Sequence, residues 1–450
     1  MIKKEYLSKK NITQSQNYLL ILFAFFLPIS PSISSMIIGI FSFKFIFSNK
    51  KKHGLNNVKK NKVAFSIILF FAFIFISSFW FKGNNDILDL NSNFIYELNK
   101  IWVLLLCPLL FLLDFNLPTK KYVKYAFIAG LMTNVFLSIL IYIYPNFIFA
   151  SKTGHYINEH YLHGFLDHSD LSIFFCFGIF LLLENSIQQK KIYIILIITL
   201  LIFLFNSYGR TGIICFIILL PFFLSLKYTL NLNFFLKRII PISIATVIIF
   251  SFSKSLSDRA TNTINEINDL LYGVSLKEKV SRHANYMSKQ DELGRTIDYW
   301  EKRIQNEKNE NGDLIWLNNI KKNKNETKTS LGKRLALWNT YLKKIKENKF
   351  LGKGLGSVSY LTKKNIGISE KPHNYYLFVM TEFGIIGLLL LLNIFMTMIE
   401  EYFRSKEKNI LKIIFFILIL LSLFTNDYLF IYNTLAFFGL FSYLLYSEQD

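Results

Sequence analysis

Apolar runs of about 20 residues recur along most of this 450-residue chain, and they restrict its fold more than any other feature. A helix that spans a bilayer needs about 20 consecutive, mostly apolar residues. Phe, Ile and Leu dominate the runs, and hydrophobic residues make up 52% of the sequence. This composition excludes a disordered chain, a collagen-like repeat and a disulfide scaffold. The sequence therefore predicts an all-α polytopic membrane protein.

We expect about twelve transmembrane helices, and several of the runs end at Pro or Ser. The candidate spans are residues 17–30, 32–48, 63–81, 98–114, 122–145, 170–184, 192–207, 211–226, 236–253, 374–399, 410–425 and 427–446.

The distribution of basic residues predicts the orientation of these spans. With the N-terminus in the cytoplasm, the cytoplasmic segments hold 23 Lys and Arg residues and the short external loops hold three. This bias is the positive-inside pattern, and it predicts that both termini lie in the cytoplasm. The formal net charge of +21 could also suggest a nucleic-acid partner. We predict no nucleic-acid binding, because the basic residues lie between apolar runs rather than along one helix face.

One long polar segment separates the ninth and tenth predicted spans, and alternation of the spans places it outside the cytoplasm. It divides the chain into an N-terminal membrane region (1–253), a large, mostly helical external loop (254–373) and a C-terminal membrane region (374–450). Within the loop, residues 258–271 and 331–349 have helical apolar spacing. Residues 306–329 are rich in Asn, Lys and Glu and are predicted to form a surface excursion.

Arg210 is the first candidate for a functional role, because it occupies a tight external turn between the seventh and eighth spans. An arginine at this depth can serve as an interfacial anchor whose side chain reaches the phospholipid headgroups. It can also bind a phosphate group with two parallel hydrogen bonds. The sequence leaves both interpretations open.

His373 is the second candidate, at the point where the long loop returns to the membrane in the stretch Lys371-Pro372-His373-Asn374-Tyr375-Tyr376. A single histidine at a helix start often has only a structural role. Here a proline restricts the preceding backbone, and imidazole is the usual proton acceptor near neutral pH.

The remaining candidates lie in the external loops. Arg334 lies at the start of the last predicted helix of the long loop. A glycine run, Gly352-Lys353-Gly354-Leu355-Gly356, comes after that helix. This run is not a phosphate-binding Walker loop, because no Lys-Ser/Thr pair follows it, and we expect a flexible turn. His160 and His163 have a spacing that metal sites use, but no HExxH or paired CxxC motif accompanies them. We predict no metal and no cofactor.

Taken in order along the chain, these features resemble the O-antigen ligase and polymerase superfamily of bacterial membrane glycosyltransferases. The resemblance is carried by Arg210, by Arg334-x-x-x-Trp338, by the glycine run, and by His373-Asn374-x-Tyr376-Leu377 followed by Glu382-Phe383-Gly384-Ile385-Ile386-Gly387. The signature covers residues 200–400.

The resemblance implies a GT-C-like fold in the bacterial inner (cytoplasmic) membrane. It also implies that the large loop (254–373) is periplasmic and that the reaction takes place at the periplasmic face. In the ligase branch, a glycan moves from undecaprenyl diphosphate to lipid A–core, in an inverting reaction that needs no metal ion. His373 matches the family's catalytic position, and Arg210 and Arg334 match positions that bind the diphosphate. In the loop, Arg282, Arg295 and Arg303 are alternatives to Arg334. Further candidates for substrate binding are Lys371, Lys353 and Tyr376.

Two other functions compete with the ligase interpretation. A polymerase would use the same donor but transfer the glycan to another lipid-linked repeat unit, and the ligase is preferred because the loop ending in His373 fits that branch. A transporter or flippase of lipid-linked sugars predicts several ionisable residues in the middle of the spans. The sequence has few residues of this kind, and only Glu382 lies well inside a span.

Overall fold

A computed structural model of the chain describes residues 16–46, 56, 58–80, 106–112, 117–144, 164–185, 191–207, 209–227, 330–358, 371–405 and 408–447. Within these ranges every regular element is an α- or 3-10 helix and no strand occurs, which confirms the prediction of an all-α protein.

The described helices follow the apolar runs closely. They are α1 (Gln16–Phe26), α2 (Pro31–Ile46), α3 (Lys62–Ser77), α4 (Leu106–Leu112), α5 (Leu117–Ile143), α6 (His168–Asn185), α7 (Lys191–Asn206), α8 (Arg210–Lys227), α9 (Ser330–Glu347), α10 (Tyr375–Arg404), α11 (Ile410–Thr425) and α12 (Tyr432–Tyr446). Short 3-10 turns at Ser78–Trp80 and Tyr428–Phe430 extend α3 and precede α12.

Four stretches combine the length and apolar composition to cross a bilayer: Lys62–Trp80, Thr119–Ile143, Arg210–Lys227 and Tyr375–Arg404. The helices α1, α7 and α11 are also apolar but shorter. The predicted ninth span (236–253), the loop helix at 258–271 and the excursion at 306–329 lie outside the described residues. The count of about twelve spans and the GT-C-like fold stay predictions.

The chain divides into two compact units. One comprises Met1–Leu256 together with Tyr341–Asp450 and contains the apolar helices. The other is Ser257–Thr340, of which the structure describes residues 330–340, the first part of α9.

Buried phenylalanines form the centre of the larger unit. Rings from α5, α6, α11 and α12 contact one another with centroid separations from 4.7 to 6.1 Å, and many of the pairs meet edge to face, which is favourable for aromatic rings. The members of this cluster are Phe127, Phe174, Phe177, Phe415, Phe437 and Phe441, and all of them are fully buried. The cluster fixes the four helices against one another below the polar ends that carry the candidate site.

Polar contacts between helix ends fall into two separate sets. At one set of ends, Lys62 at the start of α3 pairs with Glu400 near the end of α10 at 2.9 Å, and the Lys120 ammonium of α5 donates to Ser447 after α12 at 2.8 Å. These are ends that the charge distribution predicts to be cytoplasmic. The opposite ends contact one another around the start of α10. They are the starts of α6, α8, α10 and α12 and the end of α11, and they are called the outer ends below. This segregation agrees with helices that alternate in direction.

Candidate active site

His373 lies immediately before α10 in an uncommon backbone conformation. Its φ angle is 49°, and it is the one non-glycine residue with positive φ among the described residues. Left-handed backbone is uncommon outside glycine, although histidine adopts it more readily than most residues. The next residue, Asn374, caps the helix because its side-chain oxygen accepts the Leu377 N–H at 3.1 Å. The cap and the left-handed residue together turn the returning chain sharply into α10.

The short connection between α11 and α12 holds the segment that contains His373. The His373 Nδ1 atom lies 3.2 Å from the Asn426 side-chain oxygen. One residue further along, the Asp427 carboxylate pairs with the Lys371 ammonium at 2.8 Å. Asp427 is buried, and Lys371 also lies over the rings of two phenylalanines. Asn426 and Asp427, which are adjacent in the α11–α12 connection, therefore hold His373 and Lys371 just before α10.

Arg210 is the first residue of α8, and a close contact between helices fixes this end. The Gly212 N–H donates to the Ser172 hydroxyl of α6 at 3.1 Å. A Cβ atom on residue 212 would lie 2.2 Å from the Ser172 backbone oxygen, so only glycine permits this approach. The start of α8 is thus held directly against the start of α6.

The same connection that holds His373 also holds the start of α8. The Thr211 hydroxyl lies 2.8 Å from the Thr425 hydroxyl and accepts the Tyr428 hydroxyl at 3.1 Å. Side chains of residues 425–428 therefore contact both His373 and Thr211, the residue after Arg210. One connection thus holds the two segments that carry the separately predicted Arg210 and His373.

The charges at this end differ in how they are neutralised. The Arg210 side chain is exposed, and no described carboxylate forms an ion pair with it. Lys371 pairs with Asp427, and the Lys353 ammonium pairs with Glu347. Hydrogen bonds from Lys344 and Lys353 hold the pKa of the exposed Glu347 carboxyl below its ordinary value. Of these three cations, Arg210 is the one that forms no ion pair with a described residue, which leaves its charge available to an anionic ligand within the described part of the chain.

Two further candidates from the sequence occupy different surroundings. The Tyr376 hydroxyl donates to the Leu420 backbone oxygen at 3.0 Å, so this side chain joins α10 to α11. Arg334 lies near the start of α9 with its side chain partly exposed. The alternatives Arg282, Arg295 and Arg303 lie outside the described residues, as do His160 and His163.

The sequence analysis missed the residues that organise the site, Asn426 and Asp427 above all. A signal was present: Thr425-Asn426-Asp427 is the only polar interruption between the apolar runs of α11 and α12. A second buried contact lies nearby, where the Asn433 amide donates to the Asp170 carboxylate at 3.0 Å. It ties the start of α12 to the start of α6.

Residues 349–358, which include the glycine run and are called the glycine segment below, dock into a break in α10. In a continuous helix the N–H groups of Ile385 and Ile386 would bond to the oxygens of Thr381 and Glu382. At Gly384, with φ 63° and ψ −162°, both of these bonds are absent. Four backbone bonds of 2.8–3.2 Å to the glycine segment replace them. Two run from α10 to the segment: Ile385 donates to Lys349, and Ile386 donates to Phe350. The other two run from the segment to α10: Lys353 donates to Thr381, and Gly354 donates to Glu382.

Glu382 completes this docked arrangement with its side chain. One carboxylate oxygen accepts the N–H groups of Gly356 and Val358, each at 3.1 Å. Glu382 is fully buried, and so the one acidic residue that lies well inside a predicted span has a packing role. This contact and the break at Gly384 explain the first two positions, Glu382 and Gly384, of the Glu-x-Gly-x-x-Gly stretch.

The arrangement provides a histidine with a defined orientation beside a helix start that carries an available guanidinium. A cation of this kind can stabilise negative charge on a leaving group, and an imidazole can accept a proton. Among the described residues no three His, Cys, Asp or Glu side chains come together as a metal site would require.

A comparison with protein families matches residues 195–392 to the model described as O-antigen ligase (Wzy_C). The chain carries an O-antigen ligase domain. A comparison with curated protein sequences gives no significant match. The O-antigen ligase domain begins in α7, ends in α10 and includes Arg210, Arg334 and His373.

The O-antigen ligase domain and the apolar helices together identify a multi-pass membrane protein with a glycosyltransferase-type activity. The family implies lipid-linked glycan substrates and a membrane context for the reaction. The described part of the O-antigen ligase domain contains the start of α8, the glycine segment and His373, which are the elements on which the sequence resemblance rested.

Proposed function

We propose that this protein is an O-antigen ligase, which transfers a glycan from undecaprenyl diphosphate to lipid A–core at the periplasmic face of the inner membrane. The observation that supports it most is the arrangement at the outer ends. There His373 meets Asn426 at 3.2 Å, and the next residue of α8 after Arg210 contacts the same connection. A base and a cation close together are what this reaction requires.

The proposed reaction is a direct displacement at the anomeric carbon of the donor. His373 takes the proton of the acceptor hydroxyl, the hydroxyl oxygen forms the new bond to the anomeric carbon, and the bond to the diphosphate oxygen breaks. The electron pair of that bond leaves with undecaprenyl diphosphate, and the configuration inverts. A diphosphate is already a good leaving group, so the reaction requires neither a nucleotide nor a covalent intermediate.

Arg210 and Arg334 are proposed to stabilise the charge that develops on the departing diphosphate. A guanidinium binds phosphate oxygens with parallel, charge-assisted hydrogen bonds. Two arginines would then serve where other glycosyltransferases use a divalent cation, which makes the proposed reaction independent of metal. Tyr376, Lys371 and Lys353 already have the intramolecular contacts described above. They are therefore proposed to contribute less to diphosphate binding than the two arginines.

Purified enzyme tests the base assignment. With an undecaprenyl-diphosphate-linked glycan and lipid A–core, His373→Ala should lower the turnover number by about 10²-fold or more, as expected for loss of a general base. Full activity of this variant would remove the assignment.

The lipopolysaccharide pattern of a deletion strain separates the ligase from the second candidate, a polymerase. For the ligase, we expect lipid A–core without any attached glycan, together with accumulated lipid-linked polymer. Core that carries a single repeat unit would indicate the polymerase. An unchanged pattern would contradict both the ligase and the polymerase for this glycan.

A further inference from the structure

Asn426 contacts His373 with an atom whose chemical identity the structure fixes. The side-chain oxygen of Asn426 accepts the Asp427 backbone N–H at 3.0 Å. A backbone N–H can only donate, so the atom at this position is the amide oxygen and not the amide nitrogen. The same oxygen lies 3.2 Å from His373 Nδ1.

This identity determines which ring nitrogen of His373 carries the proton. An amide oxygen only accepts hydrogen bonds, so Nδ1 must be the donor. In the neutral ring a proton on Nδ1 leaves the lone pair on Nε2, and the partner of one nitrogen thereby sets the role of the other. Nε2 is then the atom that can accept a proton from a substrate.

The surroundings hold Asn426 in place. Its own N–H closes the end of α11 by donating to the Ser422 oxygen at 3.3 Å. On one side Thr425 contacts Thr211 of α8, and on the other side Asp427 pairs with Lys371. The charged groups on the two segments that meet here are that ion pair, and Asp170 of α6 lies close enough to interact electrostatically with Asp427 and with Asp167.

We propose that Asn426 is a positioning residue for catalysis: it holds His373 with Nδ1 protonated and Nε2 free to act as the base. This inference rests on the proposed function, because it assigns the orientation of the base in that reaction. It adds a residue that acts through His373 and does not itself contact the substrate.

The two variants that test this role are Asn426→Leu, which removes the acceptor at similar size, and Asn426→Asp, which keeps it. In the purified enzyme, Asn426→Leu should lower kcat at least about tenfold with little change in KM. Asn426→Asp should retain most of the kcat, because a carboxylate oxygen also accepts from Nδ1.

The pH profile supplies a readout that a merely structural role would not change. A carboxylate opposite the ring favours its protonated form, so Asn426→Asp should move the acidic limb of the activity profile to higher pH by about half a unit or more. Wild-type kcat in Asn426→Leu, or an unmoved acidic limb in Asn426→Asp, would overturn the proposal.

Asn409→Leu is the matched control, because Asn409 caps the other end of the same helix through the Leu411 N–H at 3.0 Å. It should lower stability slightly and leave kcat close to wild type. Equal losses of kcat at positions 409 and 426 would mean that damage to α11 is the cause, which contradicts a positioning role.

The outcomes for His373 and Asn426 keep the two proposals distinguishable. Loss of activity in His373→Ala with full activity in Asn426→Leu would overturn the positioning role alone. Full activity in His373→Ala would overturn the base assignment and the positioning role together.

Discussion

At the scale of single residues, the outer ends show a division between cations that maintain the fold and a cation available for a ligand. Lys371 is almost buried beside Asp427, and its charge is neutralised at 2.8 Å. Removing one member of such a buried pair leaves the other charge without compensation. Arg210 is exposed and has no ion pair with a described carboxylate. Burial and pairing therefore separate residues that look equivalent in the sequence.

Arg210→Ala should lower kcat/KM for the lipid-linked donor by about 10²-fold, because one charge-stabilising group in the transition state is lost. Arg210→Lys should restore part of this loss, since an ammonium keeps the charge but not the two parallel hydrogen bonds. Initial rates of the purified enzyme over a range of donor concentrations measure both effects.

The matched control for Arg210 is Arg404→Ala, because Arg404 lies at the opposite helix ends and pairs with Glu400. We expect less than a tenfold change in kcat/KM. A larger loss at Arg404 than at Arg210 would contradict the assignment of the diphosphate-binding cation.

At the scale of helices, the break in α10 is the least regular feature of the structure. A Cβ atom on residue 384 would lie 2.3 Å from the Phe350 backbone oxygen, and its φ and ψ angles are open essentially only to glycine. The break lies roughly 14 Å along the helix from its start. Irregular backbone at such depth is tolerated where it is buried in protein and fully bonded.

Gly384→Ala should destabilise the protein by about 1–3 kcal/mol from backbone strain alone, and more from the contact with Phe350. The thermal unfolding midpoint of the purified protein measures this effect. Gly39→Ala is the control, since Gly39 lies in α2 with no heavy atom near the added methyl group. That change should be neutral or slightly stabilising. Equal midpoints for the two variants would show that the docked segment contributes nothing to stability.

Helix positions in this chain were predictable, and the contacts between them were not. Apolar runs locate α5, α8 and α11 to within a few residues because the length of a run is a strong signal. The break in α10 is invisible in that signal, since residues 381–388 read as uninterrupted helix. Asn426 and Asp427 were missed because they form a very short polar gap. Likewise, no pattern along the chain could show that His373 and Thr211, the residue after Arg210, contact one connection.

At the scale of the whole molecule, the surface of the larger unit fits a membrane. Large apolar side chains are exposed along α7, α8 and α10. In water such exposed apolar faces would promote aggregation, whereas in a bilayer they contact lipid tails. Charged side chains lie at helix ends, where Lys227 at the end of α8 donates to the last backbone oxygens of α6. The predicted orientation assigns these ends to the cytoplasm.

Single cysteine variants test that orientation in cells. Lys346→Cys, exposed on α9, should react with a membrane-impermeant maleimide in intact cells whose outer membrane has been permeabilised. Lys408→Cys, exposed before α11, should react only after lysis. The unsubstituted protein is the control for labelling of the three native cysteines, Cys107, Cys176 and Cys215, of which the last two are buried. Labelling of Lys408→Cys in intact cells would reverse the predicted topology.

The docked glycine segment has a consequence for how the protein is inserted into the membrane. Residues 349–354 precede α10 in the chain, so they are synthesised before that helix. In the predicted topology they are also translocated before α10 enters the lipid. The docked structure pairs four N–H groups and four backbone oxygens of the segment and the break with one another. Since none of these eight groups depends on water for a partner, the break can lie within an apolar helix without exposing them to hydrocarbon.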